Sequence, residues 1–392
     1  MEINDQVEII GAGPSGLAAA ITLAKSGRKV VVHEARKEVG NRFQGDFQGL
    51  ENWSHQTDVL EFLKSKGLST RFNHVPCLQG KAYDAFGNEY LIKSSVPLFY
   101  MVERGPGDKT LDTRLLHQAL DLGVQVHFES KVNALKGPGV LACGPKVGDA
   151  IATGYHFKTN SPDGFWLICD DNLAPKGYSY LLVMNGRGTV KSCMFADFKN
   201  WRRYVKDTVE TFKKYTGFQM VDPEPHGGMG NFAYPRTAYT GFHPMVGEHA
   251  GFQDALFGFG MRYAMTSGIL AANSILNKKD FNREWKEALG KSIKASIVNR
   301  VLYDRAGNKG YQRLFQNLAN NKDARQLLHN HYQYNFFRRL LYIWAKRKFS
   351  SRRKEYGCHE PGCDCLWCEC QHENTDLRLK PIKKEEEYEL NN

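Results

Sequence analysis

The feature that most constrains the fold is a glycine-rich segment at residues 7–34, which reads VEIIGAGPSGLAAAITLAKSGRKVVVHE. A short apolar run ends at Gly11, and the spacing of Gly11, Gly13 and Gly16 is that of G-x-G-x-x-G. A helical pattern of small apolar residues follows, and a second apolar run ends at Glu34. Strand, tight turn, helix and strand within about 30 residues form a βαβ unit. The segment therefore predicts an α/β protein built on a parallel sheet.

This βαβ unit has the chemistry of a dinucleotide-binding site. Glycines let the backbone approach a pyrophosphate, and the free N–H groups at the start of the helix attract its charge. Glu34 lies 23 residues after Gly11, close to the spacing of about 20 for an acid that binds a ribose 2′-OH. Arg42, in the loop that follows, is either a partner of phosphate oxygens or a solvated arginine. The cofactor contacts predicted in the unit itself are Gly11, Ala12, Gly13, Pro14, Ser15, Gly16, Glu34 and Ala35.

The position of the unit near residue 1 favours FAD as the resident cofactor, and the alternative is a glycine turn in an α/β protein of another kind. The 392 residues, 42% of them hydrophobic, suit a globular protein of two or three domains. No apolar run reaches the length of a membrane-spanning helix, and the first strand begins too early for a signal peptide. With four scattered cysteines, these features predict a cytoplasmic protein. The net charge is +11, but no pattern of a nucleic-acid-binding fold accompanies it, so no nucleic acid is expected as a partner.

Periodicity divides the chain into several parts. Residues 102–130 combine a helical pattern with a strand, and residues 149–154 have the pattern of a strand and glycine turn that crosses back beneath a flavin. From residue 155, short strands between glycine and proline turns predict an antiparallel sheet. The fold class is therefore α/β, or α+β overall: a Rossmann-type FAD-binding domain, an inserted antiparallel-sheet substrate domain and C-terminal helices. The predicted parts are 1–71, 103–154 and 236–280 (FAD-binding domain), 72–102 and 155–235 (substrate domain), 281–354 (C-terminal helices) and 355–392 (a Cys-rich, charged tail).

A second glycine-rich segment, residues 243–276, is the other candidate contact for the cofactor. Gly247 and Glu248 follow an apolar strand pattern, and Gly258 and Gly260 open a long helix of small residues. The N–H groups at the start of that helix would face the flavin carbonyl that gains negative charge on reduction. The alternative is a glycine loop followed by a closely packed core helix.

The order of these motifs resembles the geranylgeranyl reductase family of flavoproteins, within the p-hydroxybenzoate hydroxylase-like fold. The resemblance rests on GAGPSG at residues 11–16, ERG around Arg104, and VGEHAGFQDALFGFGMRYAMTSG at residues 246–268. It implies that Glu248 binds the ribityl chain of FAD and that Arg104 lies near the flavin edge.

The same resemblance implies hydride transfer from reduced flavin to a carbon–carbon double bond of a hydrophobic, isoprenoid- or lipid-like substrate. The strand PKGYSYLLV at residues 175–183 corresponds to the family's substrate-lining strand, with Tyr180 in place of tryptophan and without the final F-P. Tyr178, Tyr180 and His249 are the candidate catalytic residues, and the alternative for each is a packing or cofactor contact. NAD(P)H that binds transiently, or a redox partner protein, would supply electrons. A flavin monooxygenase is the first alternative function, and a non-catalytic flavoprotein that docks on a membrane or a partner is the second.

Two further features lie near the C-terminus. Residues 331–354 (HYQYNFFRRLLYIWAKRKFSSRRK) mix aromatic and cationic side chains. This pattern is typical of a helix at a lipid interface, and equally of a helix docked on the protein with a basic rim. Five crowded thiols then predict zinc or an iron–sulfur cluster, with redox-active or unligated thiols as the third interpretation. These thiols belong to Cys358, Cys363, Cys365, Cys368 and Cys370.

Overall fold

The structure, a computed structural model, describes residues 6–145, 148–349 and 366. The strands are β1 (Gln6–Ile10), β2 (Lys29–His33), β3 (Phe47–Glu51), β4 (His74–Cys77), β5 (Gln79–Asp84), β6 (Glu89–Lys93), β7 (Phe99–Glu103), β8 (Gln125–His127), β9 (Gly139–Leu141), β10 (Ala150–Lys158), β11 (Gly164–Cys169), β12 (Tyr178–Met184), β13 (Arg187–Met194), β14 (Val221–Gly230), β15 (Tyr239–Thr240) and β16 (His243–Pro244). The helices are α1 (Pro14–Lys25), α2 (Val59–Ser65), α3 (Leu111–Asp121), α4 (Trp201–Thr216), α5 (Met261–Leu276), α6 (Phe281–Ala288), α7 (Gly290–Ala319), α8 (Ala324–Tyr332) and α9 (Phe336–Lys348).

A four-stranded parallel sheet in the order β8-β2-β1-β9 forms the nucleotide-binding half. Helix α1 joins β1 to β2 as the glycine pattern predicts, begins with Pro14 at its first position and is buried along its alanine-rich face. Gly27, with φ +81°, ends the connection in the left-handed conformation that glycine adopts without strain. Strand β9 was not predicted, because three residues carry too little periodicity to be recognised. The α/β fold class is confirmed.

A seven-stranded sheet in the order β14-β10-β13-β12-β11-β5-β6 forms the other half. It is mixed, because β11 and β5 pair in parallel while the other neighbours are antiparallel. The expectation that residues 149–154 form a strand and glycine turn beneath a flavin is wrong. Residues 150–154 are the first half of β10, and Gly154 lies in the middle of that strand. A Cβ at Gly154 would lie 1.9 Å from the Val190 carbonyl oxygen, so glycine is required there for close backbone packing rather than for a turn.

The remaining elements close the space between the two sheets. A three-stranded sheet, β3-β7-β4, carries the chain from one half to the other. Helix α4 packs its apolar face, including Tyr204, Val209 and Phe212, on the outer face of the large sheet. Helix α7 is interrupted at Gly307, where φ is 56° and ψ is −165°, and α8 and α9 pack against it. The three largest apolar clusters surround α1 and α5, the inner face of the large sheet, and the base of α4.

Candidate functional site

The first glycine segment makes a turn that only glycine can make. Gly11 has φ +103°, and a Cβ there would lie 2.3 Å from the carbonyl oxygen of Ala142 in the segment after β9. A Cβ on Gly16 would lie 1.9 Å from the carbonyl oxygen of Gly11, so Gly16 lets α1 sit directly on the turn. Both positions serve the close packing of strand, turn and helix.

Gly13 has a different environment. A Cβ placed there would meet no protein atom within 4 Å, and Gly13 lies on the wall of the large cavity described below. Gly13 is also the N-cap of α1, and no side chain accepts a hydrogen bond from the first N–H groups of the helix. This arrangement leaves a set of donors and a positive helix end facing open space, which is the geometry that binds a pyrophosphate.

Glu34 lies at the end of β2, next to this turn. Its Oε2 accepts a hydrogen bond from the Ala12 N–H at 2.8 Å, and its Oε1 accepts one from the Arg36 N–H at 3.0 Å. Glu34 and Ala35 both line the cavity. The carboxylate is thus fixed by backbone donors beside the phosphate-binding turn, where an acid can accept the hydroxyl groups of a ribose.

The second glycine segment meets the first across the helix pair α1 and α5. A Cβ on Gly268 would lie 2.1 Å from the Ser15 carbonyl oxygen, and one on Gly247 would lie 2.7 Å from the Ser15 Oγ. These glycines set the close approach of the two segments, which are about 250 residues apart in the sequence. Gly258 and Gly260 line the same cavity as the first segment, and Gly260 caps α5 without any side-chain cap. The start of α5 therefore presents free N–H groups to the cavity.

One cavity of about 730 Å³ joins these features to the large sheet. At one end its walls are the glycine turns, Glu34 and Ser15. At the other end they are apolar side chains from the large sheet, from β7 of the three-stranded sheet and from helices α7 and α8. These apolar side chains are Phe99, Phe165, Leu167, Leu182, Leu314, Phe315, Leu318 and Leu328.

The arginines and the acid predicted to touch the cofactor also lie on the cavity wall. Arg42 and Glu248 line the cavity and form an ion pair with each other at 2.9 Å. Arg104 is buried and holds Asp112 through two hydrogen bonds of 2.7 and 2.8 Å, with its guanidinium 4.0 Å from the centre of the Phe43 ring. Such a buried two-pronged pair fixes the loop around Phe43.

The three candidate catalytic residues have different positions. Tyr178 and Tyr180 line the cavity, and the Tyr178 hydroxyl donates to the carbonyl oxygen of Phe257. Burial raises the pKa of the Tyr178 phenol and that of the Tyr180 phenol well above the usual value for tyrosine. His249 is buried in the short 3₁₀ helix Gly247–His249 and is absent from the described residues that line the cavity. The catalytic role of His249 stays a prediction, and its position outside the described cavity lining does not add support to it.

A cluster of four titratable side chains, here called the Lys191 cluster, lies where the large sheet meets the loop before β3. It comprises Asp46, His156, Lys191 and His226. The Lys191 Nζ lies 2.7 Å from Asp46 Oδ2 and 2.7 Å from His226 Nδ1. His156 Nε2 lies 3.0 Å from Asp46 Oδ1, and the two imidazoles stack at 4.2 Å between ring centres. The side chains of Asp46 and Lys191 are 1% and 2% exposed, although both line the cavity.

The environment sets the protonation of this cluster. Burial alone would raise the pKa of Asp46, but Lys191, His156 and His226 outweigh burial and hold it well below its usual value. Burial lowers the pKa of Lys191, although Asp46 opposes that shift. Burial and then the Lys191 charge lower the pKa of His226 to about 3. A neutral His226 that accepts from Lys191 at Nδ1 donates its Nε2–H to the carbonyl oxygen of Arg42, 2.8 Å away.

Sequence reasoning missed this cluster, although two signals were present. Lys191 is the one charged residue among positions 188–194 of β13, all of which are buried, and such a lysine is buried only when it is paired. His226 precedes the glycines at 227 and 228, which form part of the cavity wall. Neither signal reveals which acid is the partner, because Asp46 is distant in the sequence.

The features predicted near the C-terminus are only partly described. All five cysteines from Cys358 to Cys370 lie outside the described residues, so the metal site stays a prediction. Helix α9 buries Ala345 and exposes a row of apolar side chains, Phe336, Phe337, Leu340, Leu341 and Ile343, beside its arginines and lysines. Contact of this surface with a membrane stays a prediction as well. Among the described residues no helix is both long and apolar enough to span a membrane.

At the level of sequence, the chain matches known proteins over short stretches. A family model described as an NAD(P)-binding Rossmann-like domain matches residues 9–55. The hydroxysqualene dehydroxylase of Rhodopseudomonas palustris is 46% identical over 58 residues, which are 14% of this chain and 14% of that protein. The chain covers well under half of the length of the curated relatives that it matches.

Solved structures resemble the chain over most of its length. A geranylgeranyl bacteriochlorophyll reductase-like protein from Thermoplasma acidophilum has a TM-score of 0.66 at 15% identity, over 86% of this chain and 95% of that one. A flavin-dependent brominase has a TM-score of 0.60 at 14% identity, over 88% of this chain and 99% of that one. At these identities the likeness shows the fold alone. The flavoprotein fold expected from the family resemblance is confirmed, and the reactions of these proteins are not transferred by it.

Proposed function

We propose that the protein is an FAD-dependent oxidoreductase that reduces a carbon–carbon double bond of a hydrophobic substrate. The observation that carries this proposal is the continuity of the cavity. Its polar end has two glycine-capped helix N-termini, and its apolar end has a wall of leucine and phenylalanine side chains. A single space thus suits a charged dinucleotide at one end and an apolar molecule at the other.

The residues present fit FAD. The open space at Gly13 and the uncapped start of α1 suit the pyrophosphate, and Glu34 suits the adenosine ribose. The uncapped start of α5 suits the carbonyl of a flavin ring. When bound, the flavin supplies hydride transfer, and the protein supplies orientation, electrostatics and exclusion of water.

The chain's own residues determine which substrates enter. The apolar wall buries a hydrocarbon without leaving polar groups unsatisfied, and each CH₂ buried there is worth about 0.8 kcal/mol. The Tyr178 hydroxyl donates its proton in a hydrogen bond to the Phe257 carbonyl oxygen, so Tyr178 positions the glycine loop before α5 and does not act as a proton donor to the substrate. The names of two similar proteins refer to geranylgeranyl and hydroxysqualene chemistry, which supports an isoprenoid- or lipid-like substrate here. Electrons would come from transiently bound NAD(P)H or from a redox partner protein.

Anaerobic turnover tests this proposal. The protein is loaded with FAD, reduced without oxygen, and mixed with candidate unsaturated isoprenoids and lipids while flavin absorbance is followed. Reoxidation of the flavin together with formation of the saturated product is expected. If reoxidation needs oxygen and the product gains an oxygen atom, the protein is a monooxygenase. If no candidate substrate speeds the reoxidation of the flavin, either without oxygen or in its presence, the protein is a non-catalytic flavoprotein.

A further inference from the structure

The Lys191 cluster is built around one row of residues across the large sheet. Register places His226 of β14 opposite Gly154 of β10, Gly154 opposite Lys191 of β13, and Lys191 opposite Tyr180 of β12. Side chains that are directly opposite point to the same face of a sheet. Strands β13 and β14 are separated by β10, so their backbones are about 9–10 Å apart. Because Gly154 has no side chain, Lys191 can extend over it and reach His226.

The cluster lies at the junction between the two ends of the cavity. Asp46 immediately precedes β3, in which a Cβ at Gly49 would lie 2.2 Å from the ring of Phe259. Phe259 lies between the two glycines that lead into α5, where the flavin ring is proposed to bind. Asp46, Lys191 and His226 all line the cavity. The cluster therefore adds charged groups to the wall close to where cofactor and substrate would meet.

The same residues resemble a metal site, but Lys191 argues against that interpretation. One ligand atom each from Asp46, His156 and His226 lies within 4.8 Å of the others. A metal would need the lone pairs of Asp46 Oδ2 and His226 Nδ1, and both already accept a hydrogen bond from the Lys191 ammonium at 2.7 Å. The position of the cation is thus taken by the lysine.

We propose that Lys191 is the catalytic acid that protonates the substrate carbon next to the one that accepts hydride. The ammonium has three N–H groups, and among the described residues it has two acceptors, Asp46 and His226. The third N–H is available to a molecule in the cavity. The proposal rests on the proposed function, and it assigns Asp46 and His226 as positioning residues.

The atoms and electrons of this step balance. Hydride forms one C–H bond, and the electron pair of the former π bond forms the second C–H bond with the proton of Lys191. The N–H bonding pair remains on nitrogen, so Lys191 ends as a neutral amine. Water protonates the amine again after the product leaves. A lysine whose pKa is lowered by burial gives up its proton more readily than one on the surface.

Asp46 keeps this lysine charged until the reaction. Without it, burial would release the proton to solvent before substrate binds. The uncharged His226 accepts from Lys191 and adds no positive charge that would expel the proton. The titratable groups that face Lys191 from the surrounding strands are Asp46, His156, His226, Tyr180 and Cys193.

The test compares Lys191→Met and the double variant Asp46→Asn/Lys191→Met with wild type and with Lys158→Met. Lys158 lies on β10 of the same sheet, pairs with an exposed aspartate and is outside the cavity lining, so its variant controls for loss of a lysine. Anaerobic reoxidation is measured in ²H₂O, and the product is analysed for deuterium. Because the N5–H of reduced flavin also exchanges with ²H₂O, we expect the wild type and Lys158→Met to add one deuterium to each carbon of the former double bond. The readout is the carbon that Lys191 protonates, where the deuterium should lie on a single face of the product. Both Lys191 variants should react about 100-fold or more slowly and lose this facial preference, while binding FAD within about threefold of wild type.

Lysine titration gives a readout that does not depend on turnover. FAD-free protein carrying ε-¹³C-lysine is titrated by NMR, and the Lys191 signal is assigned by its loss in Lys191→Met. We expect this signal to titrate at lower pH than the surface lysines, and at still lower pH in Asp46→Asn. If the signal titrates with the surface lysines, or if the Lys191 variants keep the rate and the stereochemistry of wild type, the proposal is wrong. If Lys191→Met does not fold, the rate and the stereochemistry of the double variant decide between the outcomes, because that variant leaves neither charge of the Asp46–Lys191 pair buried alone.

These outcomes separate the two proposals. If no unsaturated substrate reoxidises the reduced flavin of the wild-type protein, the proposed function is wrong. Normal turnover in the wild type and in both Lys191 variants contradicts only the assignment of Lys191.

Discussion

Replacing Asp46 with asparagine should destabilise the folded protein by about 3–5 kcal/mol. The Lys191 Nζ and Asp46 Oδ2 are 2.7 Å apart, with side chains 2% and 1% exposed. Asparagine preserves the shape of the side chain but removes the counter-ion, so the lysine must either stay charged in a buried site or lose its proton. Lys191→Met should cost a similar amount, because it leaves the buried carboxylate of Asp46 without its ammonium partner.

The double variant Asp46→Asn/Lys191→Met distinguishes this explanation from a simple loss of packing. Because neither charge remains, its loss of stability should be smaller than that of either single variant. Urea unfolding of FAD-free protein, followed by far-UV circular dichroism, measures the midpoint and the slope. Lys158→Met, which breaks an exposed pair on the same sheet, should leave the midpoint unchanged. If the loss in the double variant equals the sum of the two single losses, the ion pair is not the source of the effect.

Three further predictions follow from the geometry. Stability from Asp46 should be fully present above its unfolded pKa of about 3.9 and be lost as pH falls through its lower folded pKa. Wild type should therefore lose more stability than Asp46→Asn in acid titrations below pH ~4, and equal losses would contradict this. Arg104→Met should cost about 3–5 kcal/mol in urea unfolding, because it leaves a buried carboxylate unpaired. Arg283→Met, which breaks an exposed pair with Glu287, should change the stability little, and equal losses in the two variants would contradict this. Serine at both Phe336 and Phe337 should weaken binding to vesicles containing anionic lipid, and unchanged binding would contradict a lipid contact of α9.

The nucleotide-binding half was predictable because its information is local. Gly11, Gly13 and Gly16 lie within one turn, and Glu34 follows on the next strand, so the spacing alone specifies the unit. The helix after Gly260 was recognised from its small residues for the same reason. That the two segments meet around one cofactor was a hypothesis from their glycine patterns and from the family resemblance, and the close packing of Gly268 on Ser15 now gives its physical basis.

Most strands of the large sheet were predicted, but their order and the Lys191 cluster were not, because both depend on register between distant strands. Lys191 meets an aspartate about 145 residues before it and a histidine 35 residues after it. Gly154 shows the limit most clearly. In the sequence, a glycine after an apolar run indicates a turn. In the structure, Gly154 lies within β10, and its missing side chain leaves room for Lys191 to extend across that strand. No periodicity within a single segment carries that information.

The central claim is that the turn at Gly13 holds the pyrophosphate of FAD. The most direct measurement compares the affinity for FAD of wild type, Gly13→Ala and Gly137→Ala by titration of the FAD-free protein. A Cβ at either glycine meets no protein atom within 4 Å, so both variants should unfold at the wild-type midpoint, but only Gly13 lines the cavity. We predict that wild type and Gly137→Ala bind one FAD per chain with equal affinity, and that Gly13→Ala binds at least about tenfold more weakly, a loss of about 1.4 kcal/mol. Failure of the wild type to bind FAD, or equal affinity in all three proteins, would contradict the account.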